Sequence, residues 1–132
     1  WLAGWKCAYV PGAIVHHKVS GSIGHLSANT VYYFSRNSLW AWVKNVPVTL
    51  MLRLLPQRLI YEVSAFSYYC LIHGKIGPYL RGKWDGLKGA GAMWRKRKEL
   101  QALRRLTNGQ IIGGLMPISR YLFERLRGKG GH

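Results

Sequence analysis

The stretch GWKCAYVPGAIVHHK, residues 4–18, is the part of the chain that indicates a fold class. Short apolar runs on both sides of a Pro-Gly pair are typical of strands separated by a turn. We therefore predict two short strands, at residues 5–10 and 13–19, broken at Pro11-Gly12. Helical patterns dominate the rest, so the expected fold of this chain is mainly α with a short two-stranded β element at its N-terminus.

Capping residues and prolines predict where the first helices begin and end. Ser27 or Asn29 is placed to cap a helix that runs to about Asn45, because both side chains accept hydrogen bonds from exposed amides. Pro47 permits a new helix start, since the first helical position needs no N–H donor. Pro56 is predicted to begin or kink the next helix.

The second half of the chain divides into a glycine-rich part and a basic part. Residues 75–90 are loosely helical in pattern, but their glycines weaken a helix. Residues 91–106 give the clearest helical pattern, and Thr107-Asn108-Gly109 is expected to end it. Residues 117–127 predict a last short amphipathic helix.

Charge and hydrophobicity together narrow the class of protein. The net charge is +16, from 20 Lys and Arg against 4 Asp and Glu, yet 48% of the residues are hydrophobic. A disordered basic tail is not that apolar, and the combination favours a protein bound at a membrane surface. Nucleic acid is not an expected partner, because no RRM, KH or zinc motif is visible and such binders seldom need a long apolar stretch.

That apolar stretch, residues 46–73, is too interrupted to predict a membrane span. Crossing a bilayer takes about 20 mostly apolar residues. Arg53, Arg58 and Glu62 interrupt the stretch, and its longest charge-free part covers residues 63–72. We favour interfacial or re-entrant helices here, with a buried helical pair or a true span as the alternatives.

The order of features near the N-terminal end resembles the end of the catalytic domain of family 2 glycosyltransferases of the GT-A fold, rhamnosyltransferase-like enzymes of the cell-surface polysaccharide type. In that family a Gly-Trp turn leads to a Pro-x-Ala-x-Val-x-His strand, and a helix carrying Arg-Asn follows. The resemblance covers about residues 1–45. The positions that match are Pro11, Ala13, Val15, His17, Arg36 and Asn37.

The resemblance implies that the chain, which begins at Trp1, is the C-terminal part of a longer enzyme with an α/β catalytic domain built on a Rossmann-like mixed sheet. Residues 1–45 would end that domain, residues 46–106 would form a hydrophobic and basic helical tail that associates with the membrane, and residues 107–132 a short helix and flexible end. The expected location is peripheral, at the cytoplasmic face of the inner (plasma) membrane.

The implied activity is inverting transfer of a sugar from a nucleotide-sugar donor to a polysaccharide or lipid-linked acceptor, with Mg²⁺ or Mn²⁺ as cofactor. The four acidic residues of the chain are Glu62, Asp85, Glu99 and Glu124, and none lies near the histidines in sequence. We therefore assign no catalytic residue here, expect the base upstream, and expect the chain alone to be inactive. The alternatives are a non-catalytic basic membrane-surface protein and, less favoured, a nucleic-acid-binding protein.

Four residues are implied to lie at the donor or acceptor. The family pattern places His17 beside the metal and the diphosphate, whereas the plainer alternative is a strand histidine bonded to a backbone carbonyl. Ser20 and Ser22 lie in a hydroxyl-rich loop that suits a donor diphosphate or an acceptor, unless it is an ordinary connection. Arg36 would either offer its planar guanidinium to the diphosphate or brace the catalytic floor.

A second set of residues is predicted to touch the membrane, because tryptophan and cationic side chains suit the headgroup layer. Each cation near an anionic leaflet contributes roughly 1 kcal/mol. The alternative is that these residues form an ordinary solvent-exposed helix face. The residues are Trp84, Trp94, Arg95, Lys96, Arg97, Lys98, Arg104 and Arg105.

Overall fold

A computed structural model describes residues 1–14 and 26–115. These residues are mainly helical, which confirms the expected class. A π-helical segment, Ser67–Ile72, continues the second helix. The α-helices are α1 (Ala28–Asn45), α2 (Val48–Phe66), α3 (Ile76–Ala102) and α4 (Asn108–Gly114).

The predicted β element is not seen in the described N-terminal residues. Residues 5–10 form no strand, although the predicted turn at Pro11-Gly12 is present, with the Ala13 amide donating to the Val10 carbonyl at 3.1 Å. A strand needs a neighbour to satisfy its backbone groups, and the helices packed here offer no sheet edge. Residues 15–19 of the second predicted strand lie outside the described residues.

The caps of α1 and α2 agree with the sequence. The Ser27 side chain accepts a hydrogen bond from the Thr30 amide at 3.1 Å, so Ser27 rather than Asn29 caps α1. The helix ends at Asn45 because Val46, which precedes a proline, is extended. Pro47 then stands as the N-cap of α2.

Pro56 does not begin a helix, which was one of its two expected roles, because α2 runs through it. The proline ring deprives the Leu52 carbonyl of its helical partner. Leu52 is 81% exposed, so water is at hand to take the place of the missing donor.

The glycine-rich residues 75–90 and the basic residues after them form one helix, α3, rather than a weak helix and a strong one. Gly82, Gly86 and Gly89 lie against α1, and a methyl group added at Gly82 would overlap the Ser35 hydroxyl and the Tyr32 carbonyl. At Gly89 it would lie 2.7 Å from the Trp40 ring. Close packing of α1 on α3 therefore offsets a helix-propensity cost of about 1 kcal/mol for each glycine.

Two cross-helix hydrogen bonds fix the register of this pair. The Trp40 indole Nε1 donates to the Gly86 carbonyl at 3.0 Å. The Tyr32 hydroxyl donates to Asp85 Oδ2 at 2.9 Å. A small core lies beside the pair and draws on α2 and the π-helical segment; it contains Val31, Ala65, Cys70 and Tyr79.

The end of α3 comes earlier than predicted, at Ala102. The Arg105 amide beyond it donates to the Leu2 carbonyl at 2.9 Å, which ties the following residues to the N-terminal segment. Thr107 begins α4 instead of ending α3, because its hydroxyl and the Gln110 side chain form a capping box. The helix predicted at residues 117–127 lies outside the described residues.

Candidate membrane-facing surface and basic groove

Helix α2 carries a continuous row of exposed apolar side chains, here called the apolar ridge. Their spacing of three or four residues places them on one face of the helix. Most of them point away from the core, and Val63, for example, is 67% exposed, whereas the Phe66 ring also packs edge-on against Tyr79 of the core. The ridge consists of Val48, Leu52, Leu55, Leu59, Val63 and Phe66.

Glu62, which lies beside the ridge on α2, also attaches the helix to the rest of the molecule. Its carboxylate forms ion pairs with Arg58 and with Lys83 of α3, and it accepts a hydrogen bond from the Tyr79 hydroxyl at 3.1 Å. Arg58 Nη1 donates to the Ser38 carbonyl of α1 at 3.4 Å. These polar contacts help to hold α2 against α1 and α3, while most of the ridge stays exposed.

Burial shifts the pKa of two partners of Glu62. Desolvation, followed by the neighbouring Glu62 carboxylate, raises the pKa of Tyr79, so its hydroxyl stays protonated and donates. Desolvation lowers the pKa of Lys83, while the hydrogen bond and charge of Glu62 oppose that change. The Glu62 carboxylate therefore binds the Tyr79 hydroxyl, as a hydrogen-bond donor, and the Lys83 cation at a half-buried position.

The side of α3 that faces away from the glycines carries aromatic and basic residues, here called the basic-aromatic face. Its Trp84 ring is 60% exposed, and Lys88 Nζ lies 5.3 Å from the centroid of that ring. The cation and the ring are thus close enough to interact. The exposed members are Leu80, Arg81, Trp84, Leu87, Lys88, Trp94 and Arg95.

Most of the residues predicted at the membrane are exposed in the structure. Arg104 is half-buried in the link between α3 and α4. Arg97 is different, because only 5% of its surface is exposed. The exposed residues are Trp84, Trp94, Arg95, Lys96, Lys98 and Arg105.

Arg97 points inward to the C-terminal end of α1. Its Nη1 donates to the Val43 carbonyl at 2.6 Å, and Gln101 Nε2 donates to the Asn45 carbonyl at 3.1 Å. These side chains satisfy carbonyls that have no partner within α1, and the cation suits the negative end of the helix dipole. Burial lowers the pKa of Arg97.

The prediction that Arg97 lies at the surface with its basic neighbours is wrong, although the helical periodicity of the sequence indicated a buried position. Positions 82, 86, 89, 93 and 97 follow helical spacing, so Arg97 shares the face of α3 that carries the buried glycines. Four consecutive basic residues masked that periodicity.

A groove of about 410 Å³ lies beside Arg97, between the start of α2 and the last turns of α3. Its polar lining is cationic or neutral and includes no carboxylate. This groove was not predictable from the sequence, because the residues on its two sides are far apart along the chain. The lining residues are Pro47, Val48, Thr49, Trp94, Arg97, Lys98, Gln101 and Arg104.

Of the residues expected at the donor or acceptor, the structure describes Arg36. Its guanidinium carbon lies 4.4 Å from the Trp40 ring centroid and 4.9 Å from that of Tyr33, and its Nε donates to Asn37 Oδ1 at 3.1 Å. Arg36 is thus held on α1 by aromatic rings. His17, Ser20 and Ser22 lie outside the described residues.

Within residues 1–14 and 26–115, no cluster of three or more His, Cys, Asp or Glu side chains is arranged to hold a metal ion. None of the described helices combines the length and the hydrophobicity that crossing a membrane requires. No protein-family model, curated protein or solved structure matches the chain.

Proposed function

We propose that this chain is the C-terminal part of an inverting glycosyltransferase and that its helices hold the enzyme on an anionic membrane surface. The observation that carries the membrane role is the apolar ridge of α2. Soluble monomers rarely expose a large contiguous apolar patch, and one that they do expose generally marks an interaction surface. We commit to lipid as the occupant.

The charge of the chain argues for lipid over a protein or a nucleic acid. The net charge is +16, and the basic-aromatic face sets cations beside exposed tryptophans. An anionic leaflet attracts the cations, and its interface accepts both tryptophan rings and aliphatic side chains. Nucleic acid would match the charge but leave the ridge in water. The anionic cytoplasmic leaflet of the inner membrane is therefore the proposed location, with the protein bound peripherally.

The catalytic part of the proposal rests on the resemblance of residues 1–45 to the GT-A family. In the complete enzyme, with its α/β domain, a carboxylate base outside this chain would take the proton of the acceptor hydroxyl, whose oxygen attacks the anomeric carbon as the nucleoside diphosphate leaves. A Mg²⁺ or Mn²⁺ ion would supply charge neutralisation at the diphosphate. His17 would hold that ion, and Ser20, Ser22 and Arg36 would lie along the donor or acceptor.

Flotation of the protein with phosphatidylcholine–phosphatidylglycerol vesicles tests the membrane role. The double variant Leu52→Gln/Val63→Gln removes two exposed members of the ridge and should weaken binding by about tenfold or more, because each buried aliphatic side chain contributes roughly 2 kcal/mol. A matched control, Val10→Gln/Ile14→Gln, removes two exposed aliphatic residues away from α2. Equal loss in both variants would refute a role for the ridge.

The catalytic role needs the whole enzyme that the gene encodes. We expect His17→Ala to abolish most of the metal-dependent sugar transfer from a nucleotide-sugar donor, while His16→Ala retains it, because adjacent residues on the strand predicted from the sequence would point to opposite faces. If the gene encodes no acid-bearing α/β domain before the Trp1 codon, the non-catalytic membrane-surface alternative replaces the catalytic one. Vesicle binding is independent of that result.

A further inference from the structure

We infer that the groove at the start of α2 binds the phosphate group of an organic phosphate. Its cationic lining residues are Arg97, Lys98 and Arg104, and carboxylates are absent from the lining. The inference goes beyond membrane attachment through the apolar ridge, because it concerns a separate pocket that recognises one chemical group.

The guanidinium of Arg97 has an unsatisfied nitrogen. Nη1 is bonded to the Val43 carbonyl, but Nη2 is buried and has no hydrogen-bond partner in the described structure. A buried donor without an acceptor is costly, and a buried charge without a counter-charge more so. Arg97 lines the groove, so an anion there would be a counter-charge to this buried guanidinium.

The N-terminal end of α2 has backbone amides without an acceptor in the helix. Pro47 is the N-cap, has no amide N–H, and provides no side-chain cap, and the first turn contains no acidic residue. Its carbonyl accepts from the amides of Leu50 and Met51, whereas the amides of Val48 and Thr49 have no acceptor within the helix. These donors and the positive end of the helix dipole favour an anion at the place where both residues line the groove.

Hydrogen bonds hold the remaining polar side chains of the groove in place. The Thr49 hydroxyl oxygen accepts from Asn108 Nδ2 at 2.8 Å, which leaves its proton as a donor. Asn108 Oδ1 in turn accepts from Arg104 Nη1 at 2.8 Å. Arg104 and Thr49 are therefore held in place across the groove, and Lys98, which is exposed, completes the cationic side.

Size and lining also indicate the class of ligand. A volume of about 410 Å³ lies within the range of roughly 300–1,000 Å³ that is usual for small-molecule sites. Trp94 and Val48 add apolar surface beside the cations. A phosphate with an attached organic group fits this mixture, and the group is either a lipid headgroup or a soluble phosphate ester.

Calorimetric titration of the purified protein with inorganic phosphate tests the shared chemistry. We expect saturable binding that Lys98→Gln/Arg104→Gln weakens by about tenfold or more, because each charge-assisted hydrogen bond contributes substantially. The control, Arg95→Gln/Lys96→Gln, removes the same charge from exposed positions outside the groove. It should leave the affinity within about twofold, since only general attraction changes.

Vesicles distinguish the two sources of phosphate. If a lipid headgroup occupies the groove, Lys98→Gln/Arg104→Gln should lower binding to phosphatidic acid vesicles well below that of the control variant. If a soluble phosphate occupies it, both variants should bind these vesicles equally and differ only with inorganic phosphate. Absence of saturable phosphate binding, or equal weakening in both variants, overturns the inference whatever the ridge variants show.

Discussion

Helices α1 and α3 on one side and α2 on the other use their apolar residues in opposite ways. The α1–α3 pair is joined through glycines, with Trp40 and Tyr32 bonded across the interface. Helix α2 is attached through the polar contacts of Glu62 and through a few buried apolar residues such as Ala65, and most of its apolar ridge is exposed. The α1–α3 pair thus buries its contact surface within the chain. Helix α2 instead leaves its apolar ridge exposed and available to a binding partner.

The sharpest test of this contrast is Gly82→Ala. The added methyl group would overlap the Tyr32 carbonyl and the Ser35 hydroxyl, and backbone cannot move aside cheaply. We expect the free energy of unfolding to fall by about 3 kcal/mol in urea denaturation followed by circular dichroism. Gly91→Ala is the control, because open space surrounds it and alanine favours a helix by about 1 kcal/mol. Similar losses in both variants would contradict a glycine-dependent interface.

Glu62→Gln tests the polar attachment of α2. The change leaves Arg58 and Lys83 close together without their shared counter-charge, and we expect unfolding to become easier by about 2 kcal/mol, between the usual values for exposed and buried pairs. Amide hydrogen exchange should speed up in α2 more than in α1. Glu99→Gln, at an exposed position of α3, should change neither quantity. Uniform acceleration over all helices would argue against a locally attached α2.

Alkaline pH should also loosen the region around Glu62. Burial raises the pKa of Tyr79, so this hydroxyl keeps its proton in the folded protein while the unfolded chain loses it. The stabilising contribution is complete below about pH 10 and falls as pH rises further, by about 1 kcal/mol at pH 11. Tyr61 and Tyr69 have pKa values raised by burial and act in the same direction. The lowered pKa of Lys83 acts in the opposite direction.

Denaturation of the wild type and of Tyr79→Phe at several pH values measures this contribution. The variant loses the hydrogen bond to Glu62 at every pH, so the informative quantity is the slope of stability against pH. We expect a shallower alkaline decline in the variant. If stability falls with pH equally in the wild type and in Tyr79→Phe, the pKa of Tyr79 is the same in the folded and unfolded states.

The smallest expected effect on stability is that of Leu52→Gln. Leu52 is 81% exposed, so the free energy of unfolding should change by less than about 0.5 kcal/mol. Leu50 lies on the same helix but is buried, and Leu50→Gln should cost about 3 kcal/mol. Urea denaturation of the two variants distinguishes the inner and outer faces of α2. Comparable destabilisation would mean that the ridge serves the fold.

Local chemistry explains which parts of the fold were predictable. Ser27 caps α1, and Pro47 stands at the start of α2, because capping depends on neighbours in the sequence. Thr107 was expected to end a helix and begins one instead, since the same residue type suits either place until tertiary contacts decide. The β element failed in residues 5–10 because a strand depends on a distant partner.

The candidate sites show the same division. Exposure of Trp84, Trp94, Arg95, Lys96 and Lys98 was predictable, because dense positive charge resists burial, but Arg97 in the same run is buried. The groove was not, since it joins residues of α2 to residues of α3 that lie far along the chain. Donor-site roles for His17, Ser20, Ser22 and Arg36 stay predictions.

The sequence by itself determined the helical class, the cap of α1, the helix start at Pro47 and the strong positive charge, because each depends on residue type and near neighbours. Only the tertiary structure decided that the glycines of α3 serve to admit α1, that Arg97 turns inward to the end of α1, and that the apolar face of α2 stays uncovered. Those outcomes depend on which surfaces meet in three dimensions. Helical periodicity shows which residues share a face, but not which face another helix covers.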